Sequence, residues 1–391
     1  MPDVFVVADH IVSPLGDGTA ANFRQLCAGV SGIERQEAGR ISPRGFYAAL
    51  MDDAGGGASF TRFEHLLLAA IAGALRGSGV DPSDPETILI ISTTKGNIQL
   101  LETEQYSAAL RERISLSTSA RLVGAHLGFT ARPIVVSNAC ISGSLAIITG
   151  ARLLSAGRYK HAVIAGADIV SRFILSGFES FQAVSPEPCK PFDADRVGIS
   201  LGEGAGAMVL STDRYPGVPP AGQSDFPPPA GRTACIRILG GASGNDANHI
   251  SGPSRTGREL ADVITRALGE SLLLPGALDF ISAHGTATLY NDEMEAKAIT
   301  LAGLGSVPVH SLKGYYGHTF GAAGLIESII SVQSLREDIL IPSKGFERLG
   351  VSEPINVIQS LVRVPLHSCL KTASGFGGCN AAIVFAKSGI A

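Results

Sequence analysis

Short, wholly apolar runs closed by polar or glycine-rich corners recur along this chain. They alternate with apolar stretches long enough for helices. TILIIS at Thr87–Ser92 and HAVIA at residues 161–165 have no polar face, the pattern of strands covered on both sides. Residues 63–75, rich in Leu and Ala with no proline before Gly77, predict a helix. Residues 5–8 read as a first strand and 22–28 as a short helix. Residues 99–127 read as helical with a break near Ser115 to Ser119. Residues 36–60 lack clean periodicity, with Gly55 to Gly57 at a loop tip. An apolar strand at Ile134–Val136 then runs through a tight polar corner into a buried helix ending near Ser155. GEGAGAMVL, residues 202–210, predicts a closing hairpin strand.

The second half replays this order. A strand at 234–239 leads through a polar Gly/Asn loop to a helix at 257–268. A buried strand at 278–282, a helix at 292–302 and a strand at 307–312 follow. A glycine-rich corner then opens a buried helix near Gly321, and strands at 355–358 and 380–386 finish the chain. Alternation of this kind implies sheets covered by helices, here a duplicated α/β unit. The expected organisation is an N-terminal half at 1–211, an extended Pro-rich connection at 212–232 that can continue neither helix nor central strand, and a C-terminal half at 233–391.

Composition narrows the class. The 391 residues are 45% hydrophobic with a net charge of −4, enough for a large core and unlike a nucleic-acid or polybasic membrane surface. The six cysteines (Cys27, Cys140, Cys189, Cys235, Cys369, Cys379) form no CxxC pair, which argues against zinc and a disulfide framework and fits a reducing compartment. No apolar run reaches the ~18 residues of a spanning helix, and the N-terminus carries no basic n-region. A soluble, cytoplasmic protein is the expectation.

Three corners hold reactive side chains. Cys140 stands where a strand turns into a helix, so free N–H groups and the helix dipole should favour its thiolate. His284 opens a His-Gly-Thr-Ala-Thr loop at a strand end, and Lys313 and His318 share the corner equivalent to that of Cys140. Open α/β sheets place ligand chemistry at such strand ends. Singly, each has an ordinary structural reading: a packed thiol, a hydrogen-bonded histidine, a solvated lysine. Their occurrence at equivalent corners is harder to dismiss.

The chain resembles the β-ketoacyl synthases, condensing enzymes of the thiolase-like superfamily. The likeness rests on Asn138-Ala-Cys-Ile-Ser-Gly143, Lys190-Pro-Phe-Asp-Ala-Asp-Arg196 with Gly202-Glu-Gly-Ala-Gly206, and His284-Gly-Thr-Ala-Thr288 with Asn291-Asp-Glu-Met-Glu295. Ser311-Leu-Lys-Gly-Tyr-Tyr-Gly-His-Thr-Phe-Gly-Ala-Ala-Gly324 and Gly375-Phe-Gly-Gly-Cys-Asn380 complete it. The resemblance implies a five-layered αβαβα sandwich of two duplicated halves, normally dimeric. It implies that Cys140 takes an acyl group from a carrier-protein thioester, and that His284 and His318 hold a malonyl thioester while CO2 leaves. Lys313 would pair with an acid and orient His318, Glu295 being the matching acid. The backbone N–H groups of Cys140 and Phe376 would form an oxyanion hole, with Phe376 also at the gate between the malonyl and acyl pockets. Gly375, Gly377 and Gly378 would let their loop approach the thioester, and Thr286 and Thr288 would contact the pantetheine arm. Asp193, Arg196 and Glu203 would hold loops together. Lys190 and Arg62 are candidates for docking an acidic carrier.

The same resemblance implies no metal, flavin or nicotinamide, the substrates being carried on the phosphopantetheine of an acyl carrier protein. The partners it implies are that carrier and either a second copy or a chain-length-factor-like paralogue, with no nucleic acid or membrane. Some positions depart from the family pattern: the first strand lacks Thr-Gly-x-Gly, Asn138 stands where Thr or Ser is usual, Ile141 follows the cysteine, and Tyr315 and Tyr316 are bulky. These departures point from housekeeping elongation toward a specialised pathway such as polyene or type II polyketide assembly. The rival readings are a non-catalytic chain-length-factor-like subunit and a thiolase or CoA-dependent starter synthase. Cys379, where the family usually has a small polar residue, reads as structural.

Overall fold

The computed structural model describes residues 2–39, 41–52, 59–216 and 235–388. The glycine run at 55–57 and most of the expected connection at 212–232 lie outside the described residues. The principal elements of the first half are β1 (Val4–Ser13), α1 (Arg62–Leu75), β2 (Thr87–Ser92), α2 (Leu116–His126) and β3 (Ile134–Val136). They continue with α3 (Ser142–Ser155), β4 (His161–Asp168), α4 (Arg172–Ser180) and β5 (Gly204–Ser211). The second half holds β6 (Ile236–Asn245), α5 (Arg258–Ser271), β7 (Phe280–Ser282), α6 (Leu289–Leu301) and β8 (Pro308–His310). It ends with α7 (Ala323–Glu337), β9 (Asn356–Val357), β10 (Ser368–Gly375) and β11 (Cys379–Lys387).

Strand order reports the duplication directly. From the centre outward, the first half runs β1-β5-β4-β2-β3 and the second β6-β11-β10-β7-β8, with β9 added at the far edge. In each half the inner two pairings are antiparallel and the outer two parallel. Each first strand even carries a bulge against its first neighbour, between Val6 and Ala8 in one and Ile238 and Gly240 in the other. Antiparallel pairing of β1 with β6 joins the two sheets edge to edge.

The layers follow from which helices are apolar all round. α7 (AGLIESIISVQSLRE) and α3 are buried between the two sheets and touch both halves, α1 and α2 cover the outer face of the first, and α5 and α6 that of the second. The result is the five-layered αβαβα sandwich. No helix among the described residues is long and apolar enough to cross a membrane.

Glycine sets the spacing of the central layer. A Cβ on Gly143 of α3 would lie 2.6 Å from the Leu325 backbone nitrogen, and one on Gly324 of α7 would lie 2.3 Å from the Ser144 hydroxyl. The two helices therefore cross nearly backbone to backbone, and both begin at their half's third corner.

Two of these principal elements differ from the sequence expectation. α4 falls where no helix was assigned, and β10 (SCLKTASG) was not recognised as a strand. Every residue of β10 from Ser368 to Ser374 is buried, its polar side chains spent on internal hydrogen bonds.

Gly324→Ala should lower stability in urea denaturation by about 1–3 kcal/mol through overpacking. Gly177→Ala, on the exposed face of α4 with open space around the added methyl, should be neutral or stabilising by up to about 1 kcal/mol.

Candidate active site

The corner after β3 is a strained elbow. Ala139 has φ 43°, a left-handed conformation that costs an alanine of order 1 kcal/mol. The Ser142 side chain pins it by accepting from the Asn138 N–H (2.8 Å) and donating to the Ala139 carbonyl (2.7 Å). Cys140 sits at the tip, two residues before α3, with 8% of its surface exposed. The Phe376 N–H points at its sulfur.

His284 follows β7 and is held by its backbone. The Glu295 carboxylate of α6 accepts from the N–H groups of His284 (2.8 Å) and Gly285 (2.7 Å) and from the Thr372 hydroxyl (2.6 Å). Glu295 is therefore not the acid of Lys313, as the resemblance implied. That acid is Glu327 of α7, at 2.7 Å. The Lys313 ammonium has three protons and three acceptors: Glu327, the His284 carbonyl at 2.6 Å and His284 Nδ1 at 3.3 Å. An ammonium only donates, so Nδ1 must accept and the ring proton lies on Nε2. Lys313 orients His284, not His318.

His318 is set by backbone pairing with the Ser200–Gly202 segment, its N–H donating to the Ser200 carbonyl and its own carbonyl accepting from Gly202. Gly317 makes this approach possible, because a Cβ there would lie 2.3 Å from the Leu201 carbonyl oxygen. The His318 ring is buried, and neither of its nitrogens has a hydrogen-bond partner among the described residues. The Cys140 sulfur and one ring nitrogen from each of His284 and His318 lie within 4.8 Å of one another.

Around this trio the resemblance-derived residues separate. Gly375 lies flush against the elbow, where a Cβ would come 2.9 Å from the Cys140 nitrogen. Gly377 is exposed with φ +83°, whereas Gly378 is shaped by packing on Asp246, a Cβ there falling 2.0 Å from Oδ1. Phe376 packs on Phe178 and Phe181 of the α4 segment, centroids 5.5 and 5.2 Å away. Thr286 and Thr288 join hydroxyl to hydroxyl at 2.8 Å beside His284. Arg62 is half-buried and forks onto Glu203 (2.6 and 3.0 Å) and the Met51 carbonyl. Lys190 pairs with Glu187 at 3.1 Å. Cys379 lies behind the elbow, its sulfur 3.7 Å from the Asn138 carbonyl oxygen.

Electrostatics invert the simple helix-dipole expectation. Burial pushes the Cys140 thiol up to about 12. Cys379 adds to the shift, and Lys313, Lys95 and the Phe376 N–H oppose it without overcoming it. Burial, reinforced by Lys313, Lys371 and (for His284) His318, holds both histidines well below their ordinary value. The resting site thus contains a neutral thiol and two neutral imidazoles. Burial alone would raise the Glu327 carboxyl, but the two lysines outweigh it and keep the group ionised.

Sequence reasoning missed Glu327, Lys371 of β10, the aromatic pair on α4 and the strain at Ala139. Glu327 did leave a signal, as the lone acid in the first three turns of an apolar helix.

Two family models match the chain in order: "Beta-ketoacyl synthase, N-terminal domain" over residues 56–214 and "Beta-ketoacyl synthase, C-terminal domain" over 235–347. The first spans Cys140, and the second His284, Lys313, His318 and Glu327. Nodulation protein E of Rhizobium leguminosarum bv. trifolii is 30% identical over 69% of this chain, and the match spans 65% of that protein, just under two thirds of its length. 3-oxoacyl-[acyl-carrier-protein] synthase 2 of Vibrio cholerae is 28% identical over 98% of this chain and 99% of its own. Among solved structures, a β-ketoacyl synthase from Burkholderia phymatum superposes with TM-score 0.84 at 22% identity, covering 99% of this chain and 100% of that one. A chain from the complex of the ketosynthase ApeO with its chain length factor ApeC, from Xenorhabdus doucetiae, gives 0.81 at 25% identity over 99% and 98%.

A thiol raised this far is protonated at neutral pH, and its thiolate fraction grows tenfold per pH unit. Carbamidomethylation of Cys140 in the free protein, followed by intact mass, should therefore keep accelerating to at least about pH 9. A plateau near pH 7 would show a depressed thiol instead.

Proposed function

The chain belongs to the β-ketoacyl synthase family, and from that premise we propose the chemistry of its site: decarboxylative Claisen condensation of an acyl chain held on Cys140 with a malonyl unit on an acyl carrier protein. The observation that carries this reading is the buried trio of Cys140, His284 and His318, with Lys313 fixing the His284 tautomer.

The cycle is ping-pong. The acyl thioester carbonyl enters between the Cys140 and Phe376 N–H groups, which stabilise its developing oxyanion. Cys140 Sγ attacks, and its proton passes to an unpartnered nitrogen of His318. The neutral imidazole serves here because a cationic one has no lone pair to offer. That proton then leaves with the carrier thiol as the carbon–sulfur bond to the carrier breaks. Malonyl-carrier protein follows, its thioester oxygen held by the Nε2–H of His284 and an N–H of His318. The bond to the carboxylate breaks, CO2 departs, and its electron pair forms the enolate. The enolate carbon attacks the acyl carbonyl and expels the Cys140 thiolate, which takes up one proton from solvent to restore the thiol, leaving a β-ketoacyl product two carbons longer on the carrier. Thr286, Thr288 and the Gly375–Gly378 turn line the pantetheine approach.

The substrates arrive on carrier phosphopantetheine, and one proton per turnover comes from solvent. The pairing of ApeO with a chain length factor supports a second, related subunit for this chain as well. β3 lies at the outer edge of its sheet with half-buried Ile134 and Val135, a strand edge suited to such a partner. The departures at Asn138 and Ile141 favour a specialised polyene or polyketide-type pathway over general elongation.

Incubation with a panel of acyl-carrier proteins should add one acyl mass to the wild type and none to Cys140→Ala. An equal adduct on both would remove Cys140 from the mechanism. His284→Ala should still load the acyl group but lose at least ~100-fold in CO2 release from malonyl-carrier protein. Acyl loading without condensation, restored on co-expression with a chain-length-factor-like paralogue, would identify the heterodimer as the working form.

A further inference from the structure

The cycle above makes no use of Lys371. This residue of β10 is fully buried, and its ammonium donates to the carbonyls of Thr372 (2.7 Å), Ser282 (3.1 Å) and Ala283 (3.2 Å). It also lies 2.7 Å from Glu327 Oε2, while Oε1 of the same carboxylate holds Lys313. Burial lowers Lys371 from its ordinary value, Glu327 opposes that and Lys313 adds to it. With the Glu327 carboxylate and three carbonyl oxygens around Nζ, and no donor facing it among the described residues, the group is held as an ammonium. One carboxylate thus lies between two ammonium groups, and the buried Glu295 carboxylate sits beside them on the His284 and Gly285 amides. Lys313 touches His284 itself, and Lys371 grips the two carbonyls just before it.

Burying a second lysine is costly, several kcal/mol in general. Lys313 and Glu327 already form a neutral pair without it. The extra charge acts on what lies above. We propose that Lys371 is a positioning residue acting through its charge: with Lys313 it holds His284 and His318 as neutral imidazoles on the acid side of the working pH range, keeping the His284 Nδ1 lone pair for Lys313 and a His318 lone pair for the Cys140 proton. What the histidines do rests on the condensing reading above; their protonation does not.

The surroundings of the two rings support this. The titratable and charged groups there are Cys140 at the elbow, Lys313 on its one-turn helix (Lys313–Tyr316), Glu327 on α7 and Lys371 on β10. Glu295 on α6 is committed to the His284 and Gly285 N–H groups and Thr372, Cys189 lies against the Lys313 carbonyl, and Lys95 faces Cys140. Burial lowers both histidines first, and Lys371 adds to it at each.

The test is Lys371→Met in the intact protein with its carrier-bound substrates. Removing the charge should raise the histidines, so the acid limb of kcat/KM should move up by about one pH unit, giving ~10-fold less activity at the foot of the limb with a smaller change on the plateau. Lys371→Arg should return the limb toward wild type. A folded Lys371→Met with an unmoved limb would overturn the proposal. Should that variant not fold, histidine-labelled wild type decides by NMR, with His284→Ala and His318→Ala assigning the signals. Both rings should stay neutral through the range in which a free imidazole titrates, and titration of either near pH 6.5 would overturn the proposal. Absence of condensation by the wild type even in the presence of a chain-length-factor-like paralogue would instead defeat the reading in the previous section and leave this NMR result standing.

Discussion

The close crossing of two buried helices is the constraint on which the rest depends. α3 and α7 occupy equivalent places in the two halves and meet through Gly143 and Gly324 with no room for a methyl group on either. Each begins at its half's third corner, so their contact fixes how near Cys140 stands to His318. A duplicated fold whose central helices met through leucines would hold those corners several ångströms further apart. The strained Ala139 elbow and the tight Gly317 turn extend the same constraint to the individual side chains.

Burial sets the chemical character of what is brought together. A site on an open helix N-terminus would carry a thiolate stabilised by the dipole. Here the cost of burying charge exceeds that stabilisation, and thiol and imidazoles rest neutral. Charge is confined instead to one layer below, where Lys313, Glu327 and Lys371 satisfy each other. Such an arrangement favours transient charge supplied by the reacting thioester, because the fixed N–H donors are already aimed and need not reorganise.

The sequence was most legible where side chains had one task. TILIIS was readable as a doubly covered strand because every residue packs, and it occupies Thr87–Ser92 in the fold. The end of α3 at Ser155 was equally visible from its apolar run. β10 was not, because Ser368, Lys371, Thr372 and Ser374 are buried polar groups whose partners lie on other elements. A pattern reader sees their polarity as exposure. α4 was missed for a related reason: it is short and interrupted by Gly177, and its two aromatic contacts lie across the fold on Phe376.

By itself the sequence determined the α/β alternation, the internal duplication, and the identity of Cys140, His284, Lys313 and His318 as residues at strand-end corners. Those properties are local: apolar period, glycine placement and motif spacing write them along the chain. Only the tertiary structure decided who pairs with whom. Glu295 is separated from His284 by the spacing the resemblance required, yet its carboxylate holds the His284 and Gly285 amides, while Glu327 and Lys371 complete the lysine cluster. An ion pair between a corner, a buried helix and a distant strand depends on how those elements are stacked, and no periodicity along one chain encodes that distance.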